Sequence, residues 1–299
     1  MARKRKGNPV HGWVVVDKAR GITSTQAVGK VRWLFNANKA GHAGTLDPLA
    51  TGVLPIALGE ATKVISHVFD AAKAYEFTVK WGEARDTDDM EGVVTACSDI
   101  RPTKLEIEAA LPSFVGEIEQ IPPKYSAIKV DGARAYDLAR DGRDVKLAAR
   151  IVSVDSLRLV EIPSSDTAKF ELRCGKGTYV RAIARDLGDK LGCFGHVIEL
   201  RRTIVGPFDQ RDAISLDMLE ELRHKGALVE ALKTVETALV DIPALAVTKA
   251  EANRLQCGQS LRVPSKTEGT VYVTSKDELV AIAQFENGEL RPVRVFNLQ

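Results

Sequence analysis

The sequence is poor in the residues that build disulfide scaffolds and zinc sites. Its four cysteines, Cys97, Cys174, Cys193 and Cys257, lie far apart and form no C-x-x-C pair. No apolar run approaches the length of about 18 residues that a membrane span needs, and the one after the basic start is too short for a signal peptide. We therefore expect a cytoplasmic protein with no disulfide, no metal site and no membrane helix.

Standard nucleotide- and metal-binding motifs are also missing. The GKGT segment at 175–178 has Phe170 where a phosphate-binding loop needs its first glycine. There is no strand-linked G-x-G-x-x-G and no H-E-x-x-H. Asp86, Asp88 and Asp89 lie close together, but no other motif supports a metal ion, and we interpret them mainly as a polar turn. The sequence therefore shows none of the standard motifs for a nucleotide cofactor or a metal ion.

Overall composition is ordinary for a globular protein, but the positive charge is unevenly placed. The 299 residues are 44% hydrophobic and 27% charged, with 42 Lys+Arg against 40 Asp+Glu. Residues 1–63 hold ten Lys/Arg and three acidic residues, whereas residues 241–299 hold seven of each sign. A local basic region suits a polyanion such as nucleic acid, and a solubilising tail with scattered lysines explains it equally well.

Hydrophobic periodicity predicts an α+β protein with two parts. After Asp241, one helix and four closely spaced short strands predict a small barrel or sandwich. The elements predicted in the larger part are strands at 10–16, 74–82, 151–160 and 168–174, and helices that are capped by Ser24 or Thr25, capped by Thr103, and begun at Val180.

Residues 123–152 combine cations with aromatic rings. They carry seven Lys/Arg, four Asp and two tyrosines. Aromatic rings stack on bases while cations meet phosphates, so this pattern favours RNA binding. An exposed amphipathic hairpin without a ligand has the same composition, and the segment alone does not separate the two.

The most unusual stretch reads GHAGTLDPLATG, from 41 to 52. Its glycines and proline favour a fixed, irregular backbone around one carboxylate, Asp47. A lone Asp on a rigid loop among small apolar residues is a candidate catalytic group. The alternative is that Asp47 caps a turn, as Asp before Pro often does.

This stretch resembles the catalytic motif of the TruB family, the bacterial tRNA pseudouridine-55 synthases. Two neighbouring positions depart from the family, since Ala19 and Arg85 stand where proline and threonine are usual. Six further blocks match in the family's order: DKARGITS (17–24), KAYEFTVKWG (73–82), DTDDMEG (86–92), PPKYSAIKVDGARAYDLAR (122–140), GTYVRAIARDLG (177–188) and LRRTIVGPF (200–208).

The resemblance implies a pseudouridine-synthase fold in two domains. Residues 1–240 would form the catalytic domain, a mixed, largely antiparallel sheet flanked by helices, with an RNA-gripping insertion at about 123–152. Residues 241–299 would form a small β-rich, PUA-like RNA-binding domain. The implied reaction converts the T-loop uridine at position 55 of tRNA to pseudouridine, by base flipping and by Asp-dependent breakage and re-formation of the glycosidic bond.

The resemblance also implies the site residues and the partners. Asp47 would be the ionised catalytic carboxylate, Arg181 its partner through a bidentate pair, and Tyr75 the ring that stacks on the target base. The implied partner is the tRNA T-stem-loop, with no cofactor, metal, membrane or guide RNA, and we predict a monomer. The implied substrate contacts are His42, Tyr179, Leu200 and Lys18.

Two other functions fit the same scaffold. One is a non-catalytic tRNA-binding or folding factor. The other is a relative that modifies ribosomal RNA within a guide-RNA particle. Asp47 and Arg181 together favour the enzyme, because a pure binding protein needs neither. The compact bacterial-type insertion disfavours the guide-RNA particle.

Overall fold

A computed structural model describes residues 7–126, 128–130, 133–140, 147–264 and 267–298. The predictions made for the basic start and for part of the 123–152 insertion lie outside these residues. No helix in the described part of the chain has the length and hydrophobicity needed to cross a membrane.

Helices and strands alternate irregularly along the chain. The helices are α1 (Ser24–Leu34), α2 (Ile65–Asp70), α3 (Lys104–Ala110), α4 (Ala135–Arg140), α5 (Val180–Lys190), α6 (Leu216–His224) and α7 (Lys249–Gln256). The strands of the larger part are β1 (Gly12–Lys18), β2 (Ala40–His42), β3 (Thr51–Leu58), β4 (Lys73–Trp81), β5 (Glu83–Arg85), β6 (Val94–Cys97), β7 (Gly116–Gln120), β8 (Lys129–Val130), β9 (Ala133–Arg134), β10 (Arg150–Ser164), β11 (Thr167–Cys174), β12 (Gly195–Val205) and β13 (Phe208–Asp209). The C-terminal strands are β14 (Ala244–Ala246), β15 (Leu261–Arg262), β16 (Gly269–Ser275), β17 (Glu278–Glu286) and β18 (Glu289–Val295).

One large sheet organises the first part of the protein. Its strand order is β1-β3-β12-β4-β11-β10-β7, with β2 added to β3 and β13 to β12. Its described strand pairs are antiparallel except β3 with β12, which run parallel. Phe77 and Phe170 of this sheet share one buried apolar cluster with Val31 of α1 and Leu187 of α5. The predicted mixed, largely antiparallel sheet flanked by helices is confirmed.

The start of α1 differs by one residue from the prediction. Thr23, rather than Ser24 or Thr25, is the N-cap, and its hydroxyl accepts a hydrogen bond from the Gln26 amide at 3.1 Å. The Ser24 hydroxyl instead exchanges hydrogen bonds with the backbone of Leu46, at 3.0 and 2.9 Å. The residue proposed as a cap therefore ties the helix to the loop that carries Asp47.

The C-terminal part is β-rich, as predicted. Its five strands form a sheet in the order β14-β16-β17-β18-β15, and α7 accompanies them. Ile282 and Phe296 pack into the same apolar cluster as Trp13 and Val68 of the larger part. The C-terminal part is therefore joined to the larger part by a continuous hydrophobic core.

Candidate active site

Asp47 lies on the loop between β2 and β3, and Lys18 holds that loop from one side. Lys18 is fully buried at the end of β1. Its ammonium donates to the carbonyls of Ala19 and Ile22 at 2.9 Å and of Pro48 at 3.4 Å. Burial lowers the pKa of Lys18 to about 8. The Pro48 contact fixes the residue next to the carboxylate.

Arg202 holds the same loop from the other side, a role that no sequence motif predicted. Its guanidinium donates to the carbonyls of Gly44 at 3.0 Å, Thr45 at 3.4 Å and Val53 at 2.8 Å. Only 1% of Arg202 is exposed. The sequence indicated this role only through strand alternation. Arg202 follows Leu200 by two residues in a strand, so both side chains point to the same, inward face.

Gly52 permits the contact between β3 and β12 that brings Arg202 to the loop. It pairs directly with Arg202 and has a φ of +98°. A Cβ at this position would lie 2.2 Å from the Arg202 carbonyl oxygen. Only glycine accommodates both the left-handed backbone and this close approach.

Asp47 and Arg181 meet, although they are 134 positions apart in the chain. An Nη2–Oδ2 distance of 2.9 Å separates them. The Arg181 side chain is 5% exposed, whereas the Asp47 side chain is 37% exposed. The guanidinium is thus fixed in the protein while part of the carboxylate remains free to meet a substrate.

The predicted bidentate geometry of this pair is wrong. Nη2 of Arg181 contacts both Asp47 and the Tyr125 carbonyl, the latter at 2.9 Å. Nη1 instead donates to the Thr87 carbonyl at 2.9 Å and lies 3.4 Å from Oδ2 of Asp89. One edge of the guanidinium is therefore used by the acidic turn, so Asp47 receives a single contact.

The acidic turn at 86–92 is more than the polar turn that we predicted. Asp88 and Asp89 are buried, and Asp88 pairs with Arg185 at 2.9 Å. Arg85, one of the departures from the family pattern, closes the turn by donating to the Gly92 carbonyl at 2.8 Å. These carboxylates position arginines of α5. Within the described part of the chain, no group of three or more His, Cys, Asp or Glu is placed to hold a metal ion.

The turn gives an expected pH dependence of stability. Burial raises the pKa of Asp88 from 3.8 to about 6, despite the opposing charge of Arg185. The Asp88 carboxyl therefore binds its proton more tightly in the folded protein than in the unfolded chain. Protonation of Asp88 stabilises the fold at low pH, and this contribution to the unfolding free energy is lost as the pH rises from about 4 through about 6. Relative to the Asp88→Asn variant, we expect the wild type to lose roughly 2–3 kcal/mol of unfolding free energy over that range.

Chemical denaturation of both proteins between pH 4 and pH 7 measures this difference. A difference between wild type and variant that does not change with pH would contradict the assignment to Asp88.

An open cavity of about 540 Å³ adjoins the carboxylate. Asp47 and Arg181 line it together with three more of the predicted site residues, Tyr75, Tyr179 and Leu200. His42 and Lys18 are not among the described lining residues. The other lining residues are Gly44, Thr45, Leu46, Phe69, Lys73, Ser126, Ile128, Arg150, Ile151, Val152, Lys176, Gly177, Thr178, Val180 and Arg202.

His42 lies in β2, next to the start of the Asp47 loop, and is half-buried. Burial, and to a smaller extent the charge of Arg202, lower the pKa of His42. Its Nδ1 atom is buried and has no hydrogen-bond partner among the described residues. Because this nitrogen is buried, a contact between it and a substrate requires the surrounding residues to move.

Tyr75 and Tyr179 enter the cavity from different elements. Tyr75 pairs with Arg202 across β4 and β12 and belongs to the hydrophobic core, while its ring also lines the cavity. Burial raises the pKa of Tyr75, and the charge of Arg202 opposes this rise. Burial also raises the pKa of Tyr179. Both phenols therefore keep their protons at neutral pH.

Gln120 fixes the start of α5 and was missed by the sequence analysis. Its side-chain amide accepts from the Tyr179 amide at 2.8 Å and donates to the Tyr179 carbonyl at 3.2 Å. Because Tyr179 is the N-cap of α5, this pair of bonds sets the position of Arg181 two residues later. No local pattern around a single glutamine indicates such a role.

Comparisons with known proteins identify the family. Residues 32–180 match the model of the TruB family pseudouridylate synthase N-terminal domain. Residues 181–240 match that of the tRNA pseudouridylate synthase B C-terminal domain.

Two relatives match along nearly the whole chain, and both are named tRNA pseudouridine synthase B. One, from Bradyrhizobium diazoefficiens, is 58% identical, over 99% of this chain and 91% of its own. The other, from Caulobacter vibrioides, is 54% identical over 100% of both chains.

Solved structures share the fold. A chain in the crystal structure of a Cbf5-Nop10-Gar1 complex superposes with a TM-score of 0.73 at 25% identity, over 96% of this chain and 84% of that one. A chain in the crystal structure of an archaeal box H/ACA sRNP Nop10-Cbf5 complex superposes with a TM-score of 0.73 at 24% identity, over 99% of this chain and 93% of that one. With the family models and relatives more than 50% identical, these findings show that the chain belongs to the TruB family of pseudouridylate synthases, which are isomerases.

Proposed function

We propose that this enzyme isomerises the uridine at position 55, in the T-loop of tRNA, to pseudouridine. The substrate class follows from relatives of 54–58% identity that are named for tRNA. One structural observation carries the proposal: the Asp47 carboxylate, paired with Arg181 at 2.9 Å, borders an open cavity of about 540 Å³. That cavity offers an extruded base both a carboxylate and aromatic rings.

The chemistry of the conversion fits a site of this kind. The bond between ribose C1′ and base N1 breaks, the base turns, and a bond forms between C1′ and C5. N1 gains a proton and C5 loses one, so no oxidant, reductant or group donor is consumed. Asp47 acts either as the nucleophile at the ribose or as a base, and both routes need it ionised.

Two residues around the carboxylate have distinct roles in this proposal. Arg181 orients Asp47, since its guanidinium is fixed by the Thr87 and Tyr125 carbonyls. Tyr75 stacks on the target base, and its phenol takes part in proton transfer.

The remaining predicted residues divide into contacts and supports. Tyr179 and Leu200 contact the base from the cavity wall. His42 contacts the RNA from the end of β2, beside the Asp47 loop. Lys18 acts through the backbone as a positioning residue, because its ammonium is used by three carbonyls.

Recognition must offset the cost of extruding the uridine. Unstacking a base costs on the order of a few kcal/mol. We propose that the insertion at 123–152 grips the T-stem-loop, that residues 1–240 form the catalytic domain, and that residues 241–299 form an auxiliary PUA-like RNA-binding domain. The enzyme would act as a cytoplasmic monomer without a guide RNA, since the likeness to Cbf5 at 24–25% identity concerns the fold alone.

Incubation with unmodified tRNA tests the function directly. We expect nucleoside analysis and site mapping to show pseudouridine at position 55, and none in a transcript that carries cytidine there. Tight tRNA binding with no pseudouridine formed would instead favour the non-catalytic binding factor. Modification at another position would overturn the T-loop assignment.

A further inference from the structure

An exposed aromatic ring lines the mouth of the catalytic cavity. Phe69 is 51% exposed, yet it lines the same cavity as Asp47 and Tyr75. It lies in the last turn of α2. Single exposed hydrophobic residues are ordinary on protein surfaces, so what distinguishes Phe69 is that its ring lines the same cavity as the carboxylate.

Lys73 holds this ring in place. Its ammonium donates to the carbonyls of Phe69 and Ala71, both at 2.8 Å, and so caps the C-terminal end of α2. The same nitrogen lies 5.7 Å from the Phe69 ring centroid. Lys73 precedes Tyr75 by two residues in β4, so one strand positions both rings.

Two exposed cations line the cavity beside the ring. Lys176 lies on the loop between β11 and α5, and its ammonium is 3.1 Å from the carboxylate of Asp70, next to Phe69. Arg150 begins β10. Phe69, Arg150 and Lys176, here called the rim, therefore place an aromatic ring and two cations on the lining of one cavity, with the charge of Lys176 partly offset by Asp70.

We propose that the rim binds the nucleotide next to the target uridine, with its base stacked on Phe69 and its phosphate near Arg150 and Lys176. Stacking on an aromatic face accepts any base, and the cations attract the phosphodiester that links this nucleotide to the extruded one. The inference rests on the proposed function, because it places the substrate's flanking nucleotide in the same cavity.

A double-mutant cycle, in which each protein variant is assayed with each RNA variant, tests the stacking contact. The substrates are T-stem-loop RNAs, intact or with an abasic residue at either neighbour of the target uridine. We expect Phe69→Leu to lower kcat/KM on intact RNA by about tenfold or more, and one abasic RNA to cost the wild type a similar factor. On that abasic RNA, Phe69→Leu should have the same kcat/KM as the wild type. Phe69→Tyr should match the wild type on every RNA.

The control is Trp33→Leu, which removes another exposed aromatic, 58% exposed, on α1 outside the cavity. Its effect on intact RNA should be negligible. Independent, multiplying losses from Phe69→Leu and from each abasic residue would overturn the stacking contact.

Affinity separates this proposal from the proposed function. The same cycle can be measured as Kd, which requires no turnover. The Kd values can therefore show no stacking contact although the wild type forms pseudouridine, or show the contact although it forms none. Arg150→Gln and Lys176→Gln should each lower the slope of log Kd against log salt by about one. Unchanged slopes would overturn the phosphate contacts.

Discussion

Asp47→Asn is expected to reduce pseudouridine formation by at least about 10³-fold, because the amide can neither attack the ribose nor accept a proton as the carboxylate does. The tRNA affinity should stay within a few fold of wild type, since Asn fills the same space and the loop is held by Lys18 and Arg202. Single-turnover assays with saturating enzyme, combined with binding measurements, separate the two effects.

The matched control is Asp166→Asn, which removes a carboxylate that also pairs with an arginine, Arg101, but on the surface away from the cavity. This variant should keep full activity. Turnover by Asp47→Asn at a rate near that of wild type would refute the role of Asp47, whichever chemical route the enzyme follows.

Arg202→Met is expected to lower the unfolding free energy by about 2–4 kcal/mol and to reduce activity as well. Methionine fills much of the volume, but the carbonyls of Gly44, Thr45 and Val53 lose their donor inside the protein. Each buried acceptor left without a partner costs about 1–3 kcal/mol, and the Asp47 loop relaxes to recover some of that loss. Denaturant unfolding and single-turnover rates measure the two consequences.

The neighbouring residue provides the control for this variant. Arg201 contacts Asp17 through two 3.0 Å hydrogen bonds, but both side chains are about one-third exposed. Arg201→Met should therefore cost no more than about 1 kcal/mol. Equal losses for the two variants would mean that Arg202 is no more important than an ordinary surface arginine.

Elements with strong local signals were predicted well. Thr103 and Glu106 form the expected capping box, because both partners lie within one helical turn. Tyr75 was expected in a half-buried strand from its alternation, and β4 runs from Lys73 to Trp81. The cap of α1 was displaced by one residue because the Ser24 hydroxyl bonds Leu46, 22 positions away in sequence.

The residues that position the catalytic groups from a distance were not predicted from the sequence. Gln120, Arg202 and the Asp88–Arg185 pair act on residues far away in the chain. Periodicity and turn chemistry describe neighbours along the sequence, so they carry no information on which distant carbonyl a donor will reach. For Arg181, the motif match predicted the partner but not the single-contact geometry, because the acidic turn competes for its donors.

The order of residues was enough to identify the family, the largely antiparallel α+β architecture and the lone carboxylate on a loop of glycine and proline. Those properties depend on local backbone preferences and on motif spacing. How far Asp47 is exposed, how Arg181 and Arg202 are shared among carbonyls and carboxylates, and where Phe69 meets the cavity followed only from folding. Each depends on packing between segments that become neighbours when β3, β4 and β12 pair.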